Sequence, residues 1–478
     1  SGDVLVEGED MDTLFPSALR TDTFGKGDAG SLTVNTPVLI MEDGALIASS
    51  SFPNSKGDGG AITIFASESV QLSESRIVSQ TEGTGDAGNV RIDTPLLIVR
   101  NQAQVIADTN RSSGNAGMID VNAAQVQLDS GGQITSITFS NGDAGDILLQ
   151  VKDSVTIAGN GSGIFANTEE DSSGNGGSII IDSRTVFLQD QGQVAVDSKG
   201  IGRGGDIRVE ADSLSLEHRA RISAETDANT GGNITLIIDD LLFVRDEIRI
   251  STNAGKDEKN GDGGNIIIEA DLIVGVPNEN SDITANAFSG RGGNVTITTQ
   301  GLFNVFIRSN EELKNLLEPD DPLDPELLDS NDITAISQTS PELSRTPTLN
   351  LSGIDPAQGL VELPAELVDV TRLVEQSLCA AAQGSEFIIT GRGGLPKPPN
   401  QVLDADATWE DWRITAVEES TEVQQSNRNS RQHVTGNTPN KFVEAQGWLK
   451  DANGTIILTA EPTVVTPHET GTPSFTCQ

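Results

Sequence analysis

The feature that most constrains this chain is a short phrase that recurs at a nearly constant spacing. GDAGSLTV begins at Gly27, and close variants begin at Gly57, Gly85 and Gly142. The last glycine of each phrase serves as an anchor, and the anchors are Gly30, Gly60, Gly88, Gly117, Gly145, Gly177, Gly205, Gly232, Gly264 and Gly293. They lie 27 to 32 residues apart. Such a period is typical of repeat architectures, in which each unit packs on its neighbours.

The residues after each anchor alternate between apolar and polar, as in β-strands. Apolar residues fall two and four positions after the anchor, as at Leu32 and Val34, and again nine and eleven positions after it, as at Leu39 and Met41. A third apolar segment begins near position seventeen, as at Ile47. The pattern predicts three short strands per unit of about 29 residues, which matches one turn of a parallel β-helix. We therefore expect an all-β solenoid of ten to eleven turns. A propeller blade needs about 40 residues, so a propeller is disfavoured.

The recurring motif is predicted to form a tight turn at one corner of each coil. Glycine adopts positive φ without a Cβ clash, so we expect the anchors to serve as structural turn residues. The phrase also carries an acidic residue, which is Asp28, Asp58, Asp86, Asp143 and Asp262 in five copies. These carboxylates are candidate calcium ligands, but a short side chain that bonds the turn backbone is the preferred interpretation. Arg203 and Arg291 occupy the same position in other copies, which a metal ladder would not accommodate.

The charge of the chain restricts its partners. Asp and Glu outnumber Lys and Arg by 71 to 30, which gives a formal net charge of −41. Such a charge repels phosphate backbones and anionic lipid, so we expect no nucleic-acid partner. No apolar run reaches the length of about 18 residues that a membrane helix requires, so we expect no membrane insertion. An acidic surface could still hold calcium loosely, and no other cofactor is indicated.

The periodic pattern divides the chain into regions. Residues 25–364 are predicted to form the β-helix, with an acidic insert at 309–331 that forms a short helix or loop thrown out from one corner. Residues 1–24 are expected to form an N-terminal joint or partial turn. Residues 365–478 are expected to form a small capping or assembly module, with a polar linker near 414–440.

Within that last region, the segments Phe442 to Leu449 and Thr455 to Ala460 read as a β-hairpin. The chain has two cysteines, Cys379 and Cys477, which allow one disulfide but do not decide whether it forms. The chain opens SGDVLVEGED, without an initiating Met or a signal peptide, so we expect a mature or trimmed fragment.

Several of these motifs together resemble a known family. They are the G-[DN]-[AG]-G turns, NDITA at Asn331, DPAQGLVELP at 355–364, and a tail that contains SEFIITGRGGLPKPP, TWEDW and VEAQGW with a cysteine near each end. The chain resembles the C-terminal part of filamentous haemagglutinin-like exoproteins of two-partner secretion systems, of the cyanobacterial type. The secretion domain that marks the N-terminus of that family is not in this sequence.

The resemblance implies a right-handed β-helix that is threaded unfolded through an outer-membrane two-partner transporter and folds outside the cell. It implies a secreted protein at the outer cell surface, where it acts as an adhesin or surface fibre that contacts cell-surface or matrix components. The bare strand edges at the ends of a β-helix favour an alternative, in which copies assemble head to tail into a filament.

A third alternative is a polysaccharide-active β-helix enzyme. The chain has three His, no Tyr and 4% aromatic residues, so sugar-stacking side chains and nucleophile motifs are scarce. We therefore expect no enzyme and no catalytic residues.

Overall fold

The structure of the protein is a computed structural model, and it describes residues 2–10, 15–110, 113–170, 172–255, 259–319, 321–352, 447–450 and 456–459. The chain divides into two compact units, Ser1–Val361 and Glu362–Gln478. The cysteines Cys379 and Cys477, the polar linker near 414–440 and most of the predicted C-terminal module lie outside the described residues. The β-helix belongs to the first unit.

The described residues form 28 strands and one α-helix. The strands are β1 (Val4–Glu7), β2 (Glu9–Asp10), β3 (Phe15–Pro16), β4 (Ala18–Arg20), β5 (Leu32–Glu42), β6 (Leu46–Ala48), β7 (Ile62–Ser73), β8 (Arg76–Val78), β9 (Val90–Arg100), β10 (Gln104–Ile106), β11 (Ile119–Asp129), β12 (Gln133–Thr135), β13 (Ile147–Ala158), β14 (Gly163–Phe165), β15 (Ile179–Gln189), β16 (Gln193–Ala195), β17 (Asp206–Leu216), β18 (Arg221–Ser223), β19 (Asn233–Val244), β20 (Arg249–Ser251), β21 (Asn265–Gly275), β22 (Asp282–Thr284), β23 (Val295–Phe303), β24 (Phe306–Ile307), β25 (Asp332–Thr334), β26 (Thr348–Leu351), β27 (Gly447–Lys450) and β28 (Ile456–Thr459).

Two parallel sheets of twelve strands run the length of the first unit. One holds the long strands in the order β1-β5-β7-β9-β11-β13-β15-β17-β19-β21-β23-β26, and the other holds the short strands in the order β24-β25-β22-β20-β18-β16-β14-β12-β10-β8-β6-β4. Each coil contributes one strand to each sheet, except that the coil of β23 contributes both β24 and β25, which pair with each other. The other neighbours in each sheet come from successive coils. The predicted fold is confirmed as a parallel β-solenoid of about 11 turns with about 29 residues per turn.

The prediction of three separate strands per turn is wrong in one respect, because the first two form a single bent strand. In β9 the inward residues Val90, Ile92, Leu97 and Val99 are all fully buried, and the alternation changes phase between the two pairs. The Thr94 hydroxyl donates to the carbonyl of a residue two positions later at 3.2 Å, which fixes the bend. The sheet pairing continues across the bend with a shift of register, so the ladder is not interrupted.

The short strand of each coil is the third strand of the prediction, and its central residue points into the core. Ile77 pairs with Val105, which pairs with Ile134, and this register continues through the sheet. These residues are fully buried and belong to one continuous hydrophobic cluster with the inward residues of the long strands. Burial of one such side chain stabilises the folded state by about 1.5–3 kcal/mol, so stacking of successive coils is the main stabilising interaction.

The anchor glycines owe their identity to close approach, and the expectation that they supply positive φ is wrong. None of the ten has a positive φ. A Cβ atom on Gly205 would lie closer than 3.0 Å to the carbonyl of Gly177, and the same holds at every anchor from Gly60 to Gly293 against the anchor one coil earlier. The anchors therefore form a ridge along which the backbones of successive coils are in contact. We call this ridge the glycine corner.

Positive φ occurs at a different corner, between the long and the short strand. Asn101 and Gln102, which join β9 to β10, have φ of 53° and 61°. His218 and Arg219, with φ of 50° and 63°, make the same turn between β17 and β18. Polar residues tolerate this conformation when the side chain is exposed, so glycine is not required in every coil.

The acidic insert leaves the β-helix after β24 and returns at β25. It contains helix α1 (Asn310–Leu316), whose N-cap Ser309 forms a capping box with Glu312, and a short 3-10 helix at Pro325–Leu327. Ile333 pairs with Ile283 of the preceding coil, so the β-helix resumes in register after the excursion.

Both ends of the described β-helix continue the two sheets. Near the N-terminus, β1 pairs with the second half of β5, and β4 pairs with β6. At the other end, β26 pairs with β23. In the second unit, β27 and β28 pair antiparallel, as the predicted hairpin requires.

Candidate functional site

The aspartates considered as calcium ligands lie at the glycine corner, where each holds the next coil. The backbone N–H of Asp58 donates to Asp28 Oδ1 at 3.0 Å, and that of Asp86 donates to Asp58 Oδ1 at 2.9 Å. The same bond runs from the N–H of Asn175 to Asp143 Oδ1 at 2.7 Å. Each carboxylate therefore satisfies a backbone donor one coil further along the chain.

The arginines at this position fit the same scheme, because their backbone N–H groups are the donors. The N–H of Arg291 donates to Asp262 Oδ1 at 2.8 Å, and the N–H of Arg203 donates to Asn175 Oδ1 at 3.1 Å. Within the described ranges, no three His, Cys, Asp or Glu side chains are grouped as a metal site requires. The geometry gives these aspartates a structural task at the corner.

A groove of about 430 Å³ lies on the sheet of short strands, along β16, β18, β20 and β22. Asp324 and Glu326 of the acidic insert line one part of it, and Gln338 lies beside them. The insert thus contributes to a concave site on the outer face of this sheet. We call this site the insert groove.

One side of the insert groove is formed by a column of mostly polar residues, the second residue after each short strand. This polar column comprises Asp22, Ser50, Gln80, Asp108, Ile137, Asn167, Asp197, Glu225, Asn253, Asn286 and Ile336. Several members accept a hydrogen bond from the backbone of the next coil. The N–H of Glu225 donates to Asp197 Oδ1 at 2.8 Å, and the N–H of Asn286 donates to Asn253 Oδ1 at 2.8 Å. The side chains of the column therefore link successive coils by hydrogen bonds and also form one polar side of the groove.

The carboxylates of Asp197 and Glu225 are held by hydroxyl groups from the neighbouring column. The Ser223 hydroxyl donates to Asp197 Oδ2 at 2.9 Å, and the Ser251 hydroxyl donates to Glu225 Oε1 at 2.6 Å. Burial, together with the charge of Glu225, raises the pKa of Asp197 to about 7. The Asp197 carboxyl therefore keeps its proton to a higher pH than a free aspartate does.

Two arginines stand on the opposite side of the groove, and their environments differ. Arg221 and Arg249 are paired in register as the first residues of β18 and β20. Arg249 forms an ion pair with Glu326 of the insert. Burial raises the pKa of Glu326 in spite of the nearby arginine. The Arg221 side chain is exposed, and its guanidinium forms no ion pair or hydrogen bond within the described part of the chain, although its charge acts on Glu326.

The insert groove contains further hydrogen-bonding groups without partners among the described residues. Asn286 is 6% exposed, and its Oδ1 accepts from the N–H of Ile336 at 2.9 Å, but its side-chain NH₂ donates to no described residue. The Thr284 hydroxyl and the Gln193 amide, which both line the groove, likewise have no hydrogen bond to a described residue. The site therefore offers several unused donors and acceptors in one concave surface.

The residues of the insert groove were not singled out from the sequence. A usable signal was present, because Asn167, Asp197, Glu225, Asn253 and Asn286 are polar at the same repeat position in five successive coils. The residues vary in type, so only a superposition of the coils makes the column visible.

None of the helices in the described ranges is long and apolar enough to cross a membrane. Comparison of the chain with known proteins found no match, neither to a family model, nor to a curated protein, nor to a solved structure.

Proposed function

We propose that the protein is a secreted structural and adhesive rod that acts at the outer cell surface. The observation that carries this proposal is the continuous strand pairing of two twelve-stranded parallel sheets through about 11 coils. Such a stack is stiff, because each coil is fixed to the next by backbone ladders on both sheets and by a shared core. A stiff stack is suited to holding a contact surface at a distance from its point of attachment.

The outward side chains supply the adhesive part of the proposal. They form columns along the axis, and four members of the polar column line the insert groove. Export through an outer-membrane two-partner transporter, and contact with cell-surface or matrix components, are proposed from the sequence motifs that resemble filamentous haemagglutinin-like exoproteins.

Assembly into a filament is a second candidate, and the ends of the sheets favour it. In the described part of the chain, β1 and β26 are the outermost strands of one sheet, and β4 and β24 those of the other. A strand edge of this kind can pair with a strand of another copy. The contact would be head to tail and non-closing, which builds a fibre.

Electron microscopy of the purified full chain tests both candidates. Separate rods of one length support the first proposal, and fibres of indefinite length support the second. Compact particles without an elongated body would contradict both. Antibody labelling of intact source cells checks the surface location, and the absence of any signal before cell lysis would count against it.

We also propose that the insert groove is not catalytic, although it holds two neighbouring carboxyl groups. Incubation of the full chain with a panel of polysaccharides, followed by analysis of the products, checks this point. Chain cleavage that is lost in Asp197→Asn would overturn it.

A further inference from the structure

We propose that the insert groove binds an uncharged oligosaccharide, which rests on the proposed adhesive function and deepens it by naming the ligand class of this site. Four features of the groove support this ligand class. They are its volume, its unused hydrogen-bonding groups, its balance of charge and the half-buried Phe288 at its edge.

The volume suits a ligand of a few sugar units. At about 430 Å³ the insert groove lies within the range of about 300–1,000 Å³ that is typical of ligand sites. It runs along four successive coils, from Gln193 on β16 to Thr284 on β22. An extended chain of rings fits such a groove better than a single compact ligand does.

The unused hydrogen-bonding groups match a ligand that is rich in hydroxyls. The Arg221 guanidinium, the Gln193 amide, the Asn286 NH₂ and the Thr284 hydroxyl have no hydrogen-bond partners within the described residues. Carboxyl oxygens of Asp197 and others lie across the groove. A sugar hydroxyl donates and accepts at once, so it can bridge a carboxylate and an amide or guanidinium. Asn286 is the most informative of these residues. Its side chain is only 6% exposed and its Oδ1 accepts a hydrogen bond, so the orientation of its free NH₂ group is fixed.

The balance of charge excludes a strongly anionic ligand. Five acidic residues and two arginines line the groove. Arg249 is already paired with Glu326, and Asp227 is paired with Lys259 at 3.7 Å. A uronate, sulfate or phosphate chain would meet an excess of negative charge at short range. An uncharged chain of hydroxyls meets no such repulsion.

One aromatic side chain at the edge of the groove supplies apolar surface for the C–H face of a sugar ring. Phe288 is half-buried there, whereas the neighbouring Ala254 and Ala287 are buried. The remaining lining is mostly polar, which suits a ligand whose surface is mostly hydroxyl groups.

The test uses the full chain and an array of uncharged oligosaccharides of two to eight units, built from glucose, mannose, galactose or xylose. Uronate and sulfated oligosaccharides of the same lengths serve as the anionic set. Hits are measured by isothermal titration calorimetry at low and at high salt. The groove variant is Arg221→Ala. Its matched control is Arg76→Ala, because Arg76 is the exposed first residue of β8, at the same repeat position but outside the insert groove.

We expect at least one uncharged oligosaccharide to bind, with an affinity that changes little with salt. Arg221→Ala should weaken that binding roughly tenfold or more, because a hydrogen bond to a charged group is lost, and Arg76→Ala should leave it unchanged. The inference is overturned if no uncharged oligosaccharide binds, if the anionic set binds more tightly, or if both variants reduce binding equally. If the protein forms rods but binds none of these ligands, the oligosaccharide inference fails and the proposed rod stands. If a compact particle binds an uncharged oligosaccharide, the proposed rod fails and the oligosaccharide inference stands.

Discussion

The glycine corner and the polar column both connect successive coils, yet they constrain the sequence in opposite ways. At the glycine corner the backbones touch, so a side chain larger than hydrogen is excluded in nine successive anchors. In the polar column a side-chain oxygen reaches the next coil, and Asp, Asn or Glu can occupy the position. Crowding between backbones enforces one residue type, whereas a bond from a side chain permits several. The column therefore admits sequence variation that the glycine corner excludes.

The largest expected effect comes from breaking the glycine corner. Gly205→Ala places a Cβ atom against the carbonyl of Gly177, and neither backbone can move without disturbing both sheets. We expect a loss of at least about 4 kcal/mol in the free energy of unfolding, measured by urea denaturation with circular dichroism. Gly30→Ala is the matched control, since its Cβ would meet only the Thr21 side chain, with Cβ at 3.4 Å. Equal losses in the two variants would show that close approach does not explain the anchors.

The second prediction concerns how the free energy of unfolding depends on pH through a buried carboxyl of the polar column. Burial raises the pKa of Asp108 to about 7, in spite of hydrogen bonds from the Ile137 N–H and the Thr135 hydroxyl, and the charge of Glu169 adds to the rise. As pH increases, the unfolded chain loses this proton first, so the folded state loses stability between about pH 4 and pH 7 and no further above that.

Asp108→Asn keeps the oxygen that accepts these bonds and removes the ionisation. Relative to the unchanged chain, we expect the variant to gain up to about 4 kcal/mol at pH 8 compared with pH 4, measured as the free energy of unfolding at both values. Asn167→Asp is the reciprocal variant, because Asn167 lies in the same column and is only 8% exposed. The new buried carboxyl should make the free energy of unfolding fall more steeply as pH rises. A pH profile that neither variant alters would contradict this role of the buried carboxyl.

A smaller effect follows from removing one bond of the ladder. Asn286→Ala leaves the N–H of Ile336 without its acceptor, and this donor is buried. We expect a loss of about 1–3 kcal/mol in the free energy of unfolding, measured by chemical denaturation. Gln80→Ala is the control, because Gln80 occupies the same column and its side chain has no hydrogen bond to any described residue. Its expected change is within about 0.5 kcal/mol.

The smallest effect concerns the aspartates of the glycine corner, where the same kind of bond is exposed to water. Asp143→Ala removes the acceptor of the Asn175 N–H, and water can replace it, so we expect a loss of about 0.5–1.5 kcal/mol in the free energy of unfolding. Asp143→Asn keeps an oxygen in place and should be nearly neutral. Thermal unfolding with and without calcium measures both. A stabilisation by calcium that Asp143→Asn abolishes would contradict the structural role given to this residue.

The sequence was sufficient to predict the stacking of coils, because the apolar residues and the anchors recur at a fixed step. It was not sufficient to predict how the strands divide. Thr36-Pro37 and Thr94-Pro95 look like strand ends, since proline interrupts a ladder, but here the chain bends and the sheet continues. The cause of the anchor glycines was also misjudged, because a glycine needed for close approach and one needed for positive φ look identical in a sequence.

The insert groove could not be predicted for a different reason. Its residues come from four coils and from an insert whose lining residues, Asp324 and Glu326, lie about forty residues after the end of β22. The acidic composition of the insert indicated an exposed segment, but Glu326 contacts the sheet of short strands through an ion pair with Arg249. A contact of this kind has no periodic signal.

The bonds to aspartate side chains at the glycine corner share one direction, and this has a consequence for how the molecule is built. Asp28 accepts from the coil that follows it, and the same direction holds at Asp58 and Asp143. The last folded coil of a partly folded stack thus presents free carboxylate acceptors. The backbone N–H groups of the next coil can bond to them as that coil folds. A polypeptide delivered N-terminus first could be laid down coil by coil, and each new coil would supply the carbonyl acceptors for the backbone N–H groups of the coil before it.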